Sequence, residues 1–222
     1  MTLSTHRRPL PVLVLATLLA LAGGCSKIYY GTMEAFGYEK RELLVRRVQS
    51  AREAQEQARR QLVDTHEQFG SIVRLPAGDG AAQYDRLGDE YEDLKDAHAD
   101  ARAAIAEMDN LADDLFREWR KELKRYSDRE LRKRSERELA ETRGRYQGLE
   151  VAMRRAEEGM GPLLRVLEDQ VLFLKHRPDA GAAAALQEQA ETIGSQVRQL
   201  TADIDAAIAQ ADAFIVSIRR TA

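Results

Sequence analysis

This chain is short of what most folds are built from. In 222 residues it has one cysteine, one tryptophan, five prolines and 14 glycines, and aromatic residues make up 6%. A single cysteine excludes an internal disulfide framework. So few glycines and prolines leave too few turns for a β-sandwich or barrel. No βαβ alternation or glycine-rich turn supports an α/β enzyme. Neither sign of charge dominates, with 34 basic and 37 acidic side chains and a net charge of −3. Long apolar runs are missing too, apart from one near the N-terminus. What the chain does have is charge, at 32%, and an apolar fraction of 44% heavy in alanine and leucine. That composition favours long helices over disorder, and the length suits one elongated domain.

The one apolar run reads as an export signal. His6-Arg7-Arg8 is followed by Leu10–Ala22 and then Gly23-Gly24-Cys25, the charged, apolar and small-residue order of a secretory signal. As a helix the run would reach about 20 Å, against ~30 Å of hydrocarbon, too short for a permanent span. Leu21-Ala22-Gly23-Gly24-Cys25 resembles a bacterial lipobox, with Leu21 one place further from the cysteine than in the commonest form. The resemblance implies a diacylglyceryl thioether on Cys25, cleavage before it and acylation of the new N-terminus. The competing reading is an ordinary secretory signal with an incidental cysteine. That cysteine would then be a lone exported thiol, since no second one exists to pair with it. Ser26 stands where an aspartate would signal inner-membrane retention. The expected location is therefore the outer membrane of a Gram-negative cell, facing the periplasm. Residues 1–24 are then the signal, 25–33 a lipidated start and short linker, and 34–222 the folded domain.

The mature chain carries a heptad-like pattern almost throughout. Apolar positions step by alternating fours and threes in four series: Leu44 to Ile72, Tyr84 to Tyr126, Leu139 to Leu174 and Leu186 to Ile218. They are apolar at 7 of 9, 11 of 13, 9 of 11 and 10 of 10 places, and a 3.5-residue period sustained this long predicts coiled-coil-like packing. Pro76 and Gly78/Gly80 end the first series, and Pro178 suits the first turn of the fourth. Between the second and third lies only Tyr126-Ser127-Asp128, where the seam changes phase and Ser127 or Asp128 supplies an N-cap. The expectation is an all-α, long antiparallel up-down-up-down four-helix bundle, with helices over 34–75, 83–126, 129–175 and 179–220. Gly159-Met160-Gly161-Pro162 interrupts the third helix, where a kink is expected. Trp119 and Phe116 are expected to pack near one end of the bundle.

Chemistry is hard to find in the sequence. Bundles that hold two metals use Glu-x-x-His pairs, but Val63, Lys95 and Phe173 precede His66, His98 and His176 at that spacing. HExxH, P-loop, GxSxG and GxGxxG motifs are absent. An enzyme is not expected, nor a metal or other cofactor. Gln55, Thr65, His98, Glu122, Thr142 and Gln170 occupy seam positions that otherwise hold apolar side chains. The structural reading is register specification; the sharper one makes His98, folded back near Gln55 and Ala58, a pH-sensitive element.

Four stretches carry a family resemblance: Met33 to Arg41 (MEAFGYEKR), Asp89 to Asp93 (DEYED), Gln170 to His176 (QVLFLKH) and Ala211 to Ile215 (ADAFI). Together they resemble bacterial proteins grouped as a domain of unknown function, DUF2959, over essentially the whole mature chain. The resemblance implies exported or lipid-anchored helical proteins of proteobacteria, with no activity or catalytic residues to carry over. The chain departs from that pattern at Arg177-Pro178-Asp179, where an asparagine-rich turn is usual. This leaves the shape of the last turn open, but not the turn itself.

Charge is distributed unevenly. Cleavage before Cys25 removes Arg7 and Arg8, leaving 32 basic and 37 acidic groups. Residues 117–145 carry 12 basic and 7 acidic groups, whereas residues 76–116 carry 3 and 12. In an up-down bundle the first end also receives the lipidated start of the chain. Lys121, Lys124, Arg125, Arg129, Arg132, Lys133, Arg134 and Arg137 are therefore expected to form a membrane-facing basic cluster. The competing reading is that charged helix faces are merely solvated. The export signal and acidic total disfavour nucleic acid. The expected partners are the membrane, through the anchor, and an envelope protein, with self-association open. Two functions compete: a non-catalytic scaffold or adaptor, and an envelope-stress or membrane-binding protein whose basic end engages anionic lipids.

Overall fold

A computed structural model describes residues 25–74, 81–176 and 180–221. It contains four helices: α1 Cys25–Val73, α2 Ala81–Leu123, α3 Arg129–His176 and α4 Ala180–Thr221. The described residues contain no strand. The chain forms two compact units, Met1–Glu42 and Leu43–Ala222. In the first, the described residues are the opening stretch of α1, helical from Cys25, where a short linker over 25–33 was expected. No proline interrupts that stretch. The second unit is the bundle. The expected signal over 1–24, the link at Pro76–Gly80 and the Arg177-Pro178-Asp179 turn lie outside the described residues.

The order of helices in the bundle follows from their cross-links. Arg47 and Arg52 on α1 meet Glu107 on α2 at 2.8 Å and Asp212 on α4 at 2.7 Å. Further along α1, Gln61 reaches Glu90 and Arg59 reaches Asp205. Trp119 and His98 on α2 meet Ser135 and Glu157 on α3, and Arg155 on α3 meets Asp203 on α4 at 3.1 Å. On each interface with two such links, residue numbers rise along one helix as they fall along its neighbour. Each helix is therefore antiparallel to the next around a closed ring. The diagonal is tied as well, by Gln55 Nε2 on α1 donating to the Met153 carbonyl on α3 at 3.3 Å. This is an up-down-up-down four-helix bundle.

The heptad seam is the core. All nine expected positions on α1 and all eleven on α3 are buried, among them Leu44, Leu62, Leu149 and Met153 at 0% exposure. The seam on α2 drifts at both polar places. Ala97 takes the core position and His98 lies at its edge; Leu123 is buried where Glu122 was expected. In each case the helix offers an apolar neighbour one residue away, and burying it avoids desolvating a polar group. The core also widens locally. Val45, Phe116, Leu164 and Ile215 are buried beside seam residues, and Phe116, Tyr146 and Phe214 stack edge to face at 5.6 and 5.8 Å. α3 runs on through Gly159-Met160-Gly161-Pro162. Met160, Leu163 and Leu164 are buried there, while Pro162 itself is exposed.

Candidate functional site

Three polar clusters lie along the helix interfaces of the bundle. In the first, Tyr146 Oη donates to Asp109 Oδ1 at 2.6 Å, and Arg154 pairs with the other carboxylate oxygen. Burial, then the Asp109 carboxylate, pushes the Tyr146 phenol far up. It stays protonated and serves as a fixed donor, not a base or nucleophile. In the second, His98 Nε2 lies 3.1 Å from Glu157 Oε1, with Arg102 4.0 Å from the same oxygen. His98 thus partners α3, and not Gln55 on α1. In the third, burial and then Arg198 hold the His66 imidazole below its ordinary value, while Glu67 pulls it up and Arg74 lowers it further. Among the described residues no group of three or more His, Cys, Asp or Glu is arranged to hold a metal ion. Nor is any described helix long and apolar enough to cross a membrane.

The fourth place is the α2–α3 end. α2 closes in tightened turns, with Lys124 N donating to the Lys121 carbonyl and Arg125 N to that of Glu122. Asp128 then caps α3. Its Oδ1 accepts from Glu130 N at 2.7 Å and Leu131 N at 3.0 Å, satisfying amides that have no helical partner. The buried Trp119 ring donates to Ser135 Oγ at 2.9 Å and joins the two helices one turn inward. This reversal brings Lys121, Lys124 and Arg125 from one side of the turn to Arg129, Arg132, Lys133, Arg134 and Arg137 on the other. All eight are exposed. Arg132, Lys133 and Arg134 pair with Glu136, Glu130 and Glu138 of their own helix. Beside them an open groove between α2 and α3 is lined by Arg120, Leu123, Glu136, Leu139, Ala140, Arg143, Gly144 and Gln147.

One residue of this end was missed in the sequence. Leu131 is 51% exposed in the first turn of α3. It is out of phase with the Leu139 seam and sits among cations, and that mismatch was the available signal. Cys25, the expected lipidation site, is the first residue of α1. The family model described as a protein of unknown function (DUF2959) matches residues 29–218. No curated protein and no solved structure matches the chain. Because that model spans nearly all of the four helices, the chain belongs to the DUF2959 family.

Proposed function

We propose that this is a non-catalytic, lipid-anchored helical protein of the bacterial envelope, held to the outer membrane through Cys25 and acting in the periplasm as a scaffold or adaptor. The observation that carries the reading is the position of Cys25. The only cysteine of the chain directly follows its only long apolar run, which is too short to span a bilayer. Several acyl chains, at roughly 0.8 kcal/mol per buried methylene, make a stable anchor where one does not. The polar clusters support a structural role, since Tyr146–Asp109 and His98–Glu157 join neighbouring helices and none of the three pairs a nucleophile with a base. The partner is an envelope protein or a second copy of the chain; no cofactor and no nucleic acid is invoked. The test is fatty-acid labelling and fractionation of the wild type beside Cys25→Ala. Label and outer-membrane pelleting should both be lost in the variant. A variant that still pellets after a high-salt wash would show that acylation is not the anchor.

A second reading has its own support. Between residues 120 and 134 there are eight basic and three acidic side chains. Of those acids, Asp128 serves as a cap and Glu130 pairs with Lys133. In this reading the basic end engages anionic lipid.

A further inference from the structure

We infer that the α2–α3 turn is an anionic-lipid docking surface in which Leu131 enters the bilayer interface while the surrounding lysines and arginines hold phosphate headgroups. This deepens the second reading above, and rests on it, but does not require that Cys25 be acylated.

The folded chain compensates this arrangement only in part. A helix N-terminus carries partial positive charge, so acidic residues stabilise the first turn and cations oppose it. Beside the Asp128 cap, α3 has one acid in its first turn, Glu130, against Arg129, Arg132, Lys133 and Arg134 within its first two turns. More cations, Lys121, Lys124 and Arg125, come from across the turn. Such mutual repulsion is relieved by an anionic surface outside the chain. The ion pairs at this end do not relieve it. The Arg132–Glu136, Lys133–Glu130 and Arg134–Glu138 side chains are between 43% and 80% exposed, and exposed pairs are weak and screened. They can give up their cations to phosphate.

Leu131 makes the surface more than a basic patch. Arg134 lies one turn further on the same helix flank, so an inserted leucine would set a guanidinium at headgroup depth. Lysine and arginine stems can lie along the apolar boundary with their charges in the aqueous layer. An isolated cation patch would accept any polyanion. A large apolar side chain at the tip, ringed by cations, matches a surface that is anionic outside and hydrocarbon beneath.

The experiment uses the full mature chain carrying Cys25→Ser, sedimented with vesicles of phosphatidylcholine alone or with added phosphatidylglycerol. Binding is expected only with phosphatidylglycerol, weakening at physiological salt, where screening acts over about 8 Å. Each cation removed should cost about fivefold in partitioning, so Lys121→Gln, Lys124→Gln, Arg129→Gln and Arg137→Gln together should lower it at least a hundredfold. Leu131→Ser should cost about fivefold at either salt concentration. Leu131→Cys in the same background leaves one cysteine for an environment-sensitive dye. That dye should shift to the blue on phosphatidylglycerol vesicles, while one at Val151→Cys, on a distant exposed position, should not. Equal binding to both vesicle types, no binding to either, or an unshifted dye at residue 131 overturns the inference. The Cys25→Ala fractionation reads acylation separately, so the two can fail independently.

Discussion

At the scale of single residues, the buried Gln55, Thr65 and Ser135 have hydrogen-bond partners on other helices. Gln55 reaches the Met153 carbonyl, and Thr65 Oγ1 lies 2.8 Å from the Gln61 carbonyl and 3.0 Å from that of Glu90, sharing its one proton between them. His66 is half-buried. Its Nε2 lies 3.3 Å from where a Cβ on Gly194 would stand, so glycine makes room for the ring. Its pKa is depressed by burial and by Arg198. Folding therefore favours the neutral ring. Its contribution is fully present above the unfolded value of about 6.5. As pH falls below that, the unfolded chain takes up the proton first and stability is lost. Replacing His66 with glutamine should reduce this loss. The difference in Tm between wild type and variant should change between about pH 7.5 and about pH 5, with the wild type losing more. A difference that does not move with pH would remove His66 from the acid response.

At the scale of the helix, α3 carries an uncompensated cost. Gly144 and Gly148 lie on its exposed flank, and a Cβ at either would meet nothing within 4 Å. Glycine in a helix interior loses roughly 0.5–1 kcal/mol relative to alanine. Gly144→Ala and Gly148→Ala should each stabilise the bundle by about that amount, read as a raised denaturation midpoint. Gly159 is the internal comparison. A Cβ there would stand 3.1 Å from Leu200 Cδ1, so the gain in Gly159→Ala should be smaller or reversed. If all three behaved alike, the close approach of α3 and α4 at Gly159 would not be what sets that position apart.

At the scale of the whole bundle, four helices share one continuous core, so damage on one strand of the seam should reach all of them. Leu149 is fully buried and Val151, two residues along α3, is 67% exposed. Leu149→Asp places an unpaired charge in the core and should cost more than about 4 kcal/mol, a large part of the roughly 5–15 kcal/mol that holds a domain together. Val151→Asp should stay within about 0.5 kcal/mol. Thermal melts followed by circular dichroism should show the first variant losing its cooperative transition and the second keeping it. Similar melts for both would contradict the burial that separates them.

Periodicity was enough to determine the seam on α1 and α3, because a 3.5-residue apolar repeat leaves a helix only one face to bury; the four helices and their antiparallel order came from that repeat together with its short breaks at Pro76–Gly80, Tyr126–Asp128 and Arg177–Asp179. Asp128 as a cap was nearly legible for the same reason: the seam breaks there and a short polar side chain must serve the exposed amides. The tertiary structure decided what one helix cannot decide alone. Whether Ala97 or His98 enters the core, and whether Leu123 or Glu122 does, depends on which flank of α2 the neighbouring helices cover. His98 could find Glu157 only once α3 was docked beside α2. The core accepts Phe116 beside Leu115 because Tyr146 and Phe214 arrive from two other helices to pack against it. Leu131 was not singled out in the sequence; only the folded turn, with Trp119 and Ser135 joined one turn inward, shows it in solvent among the cations.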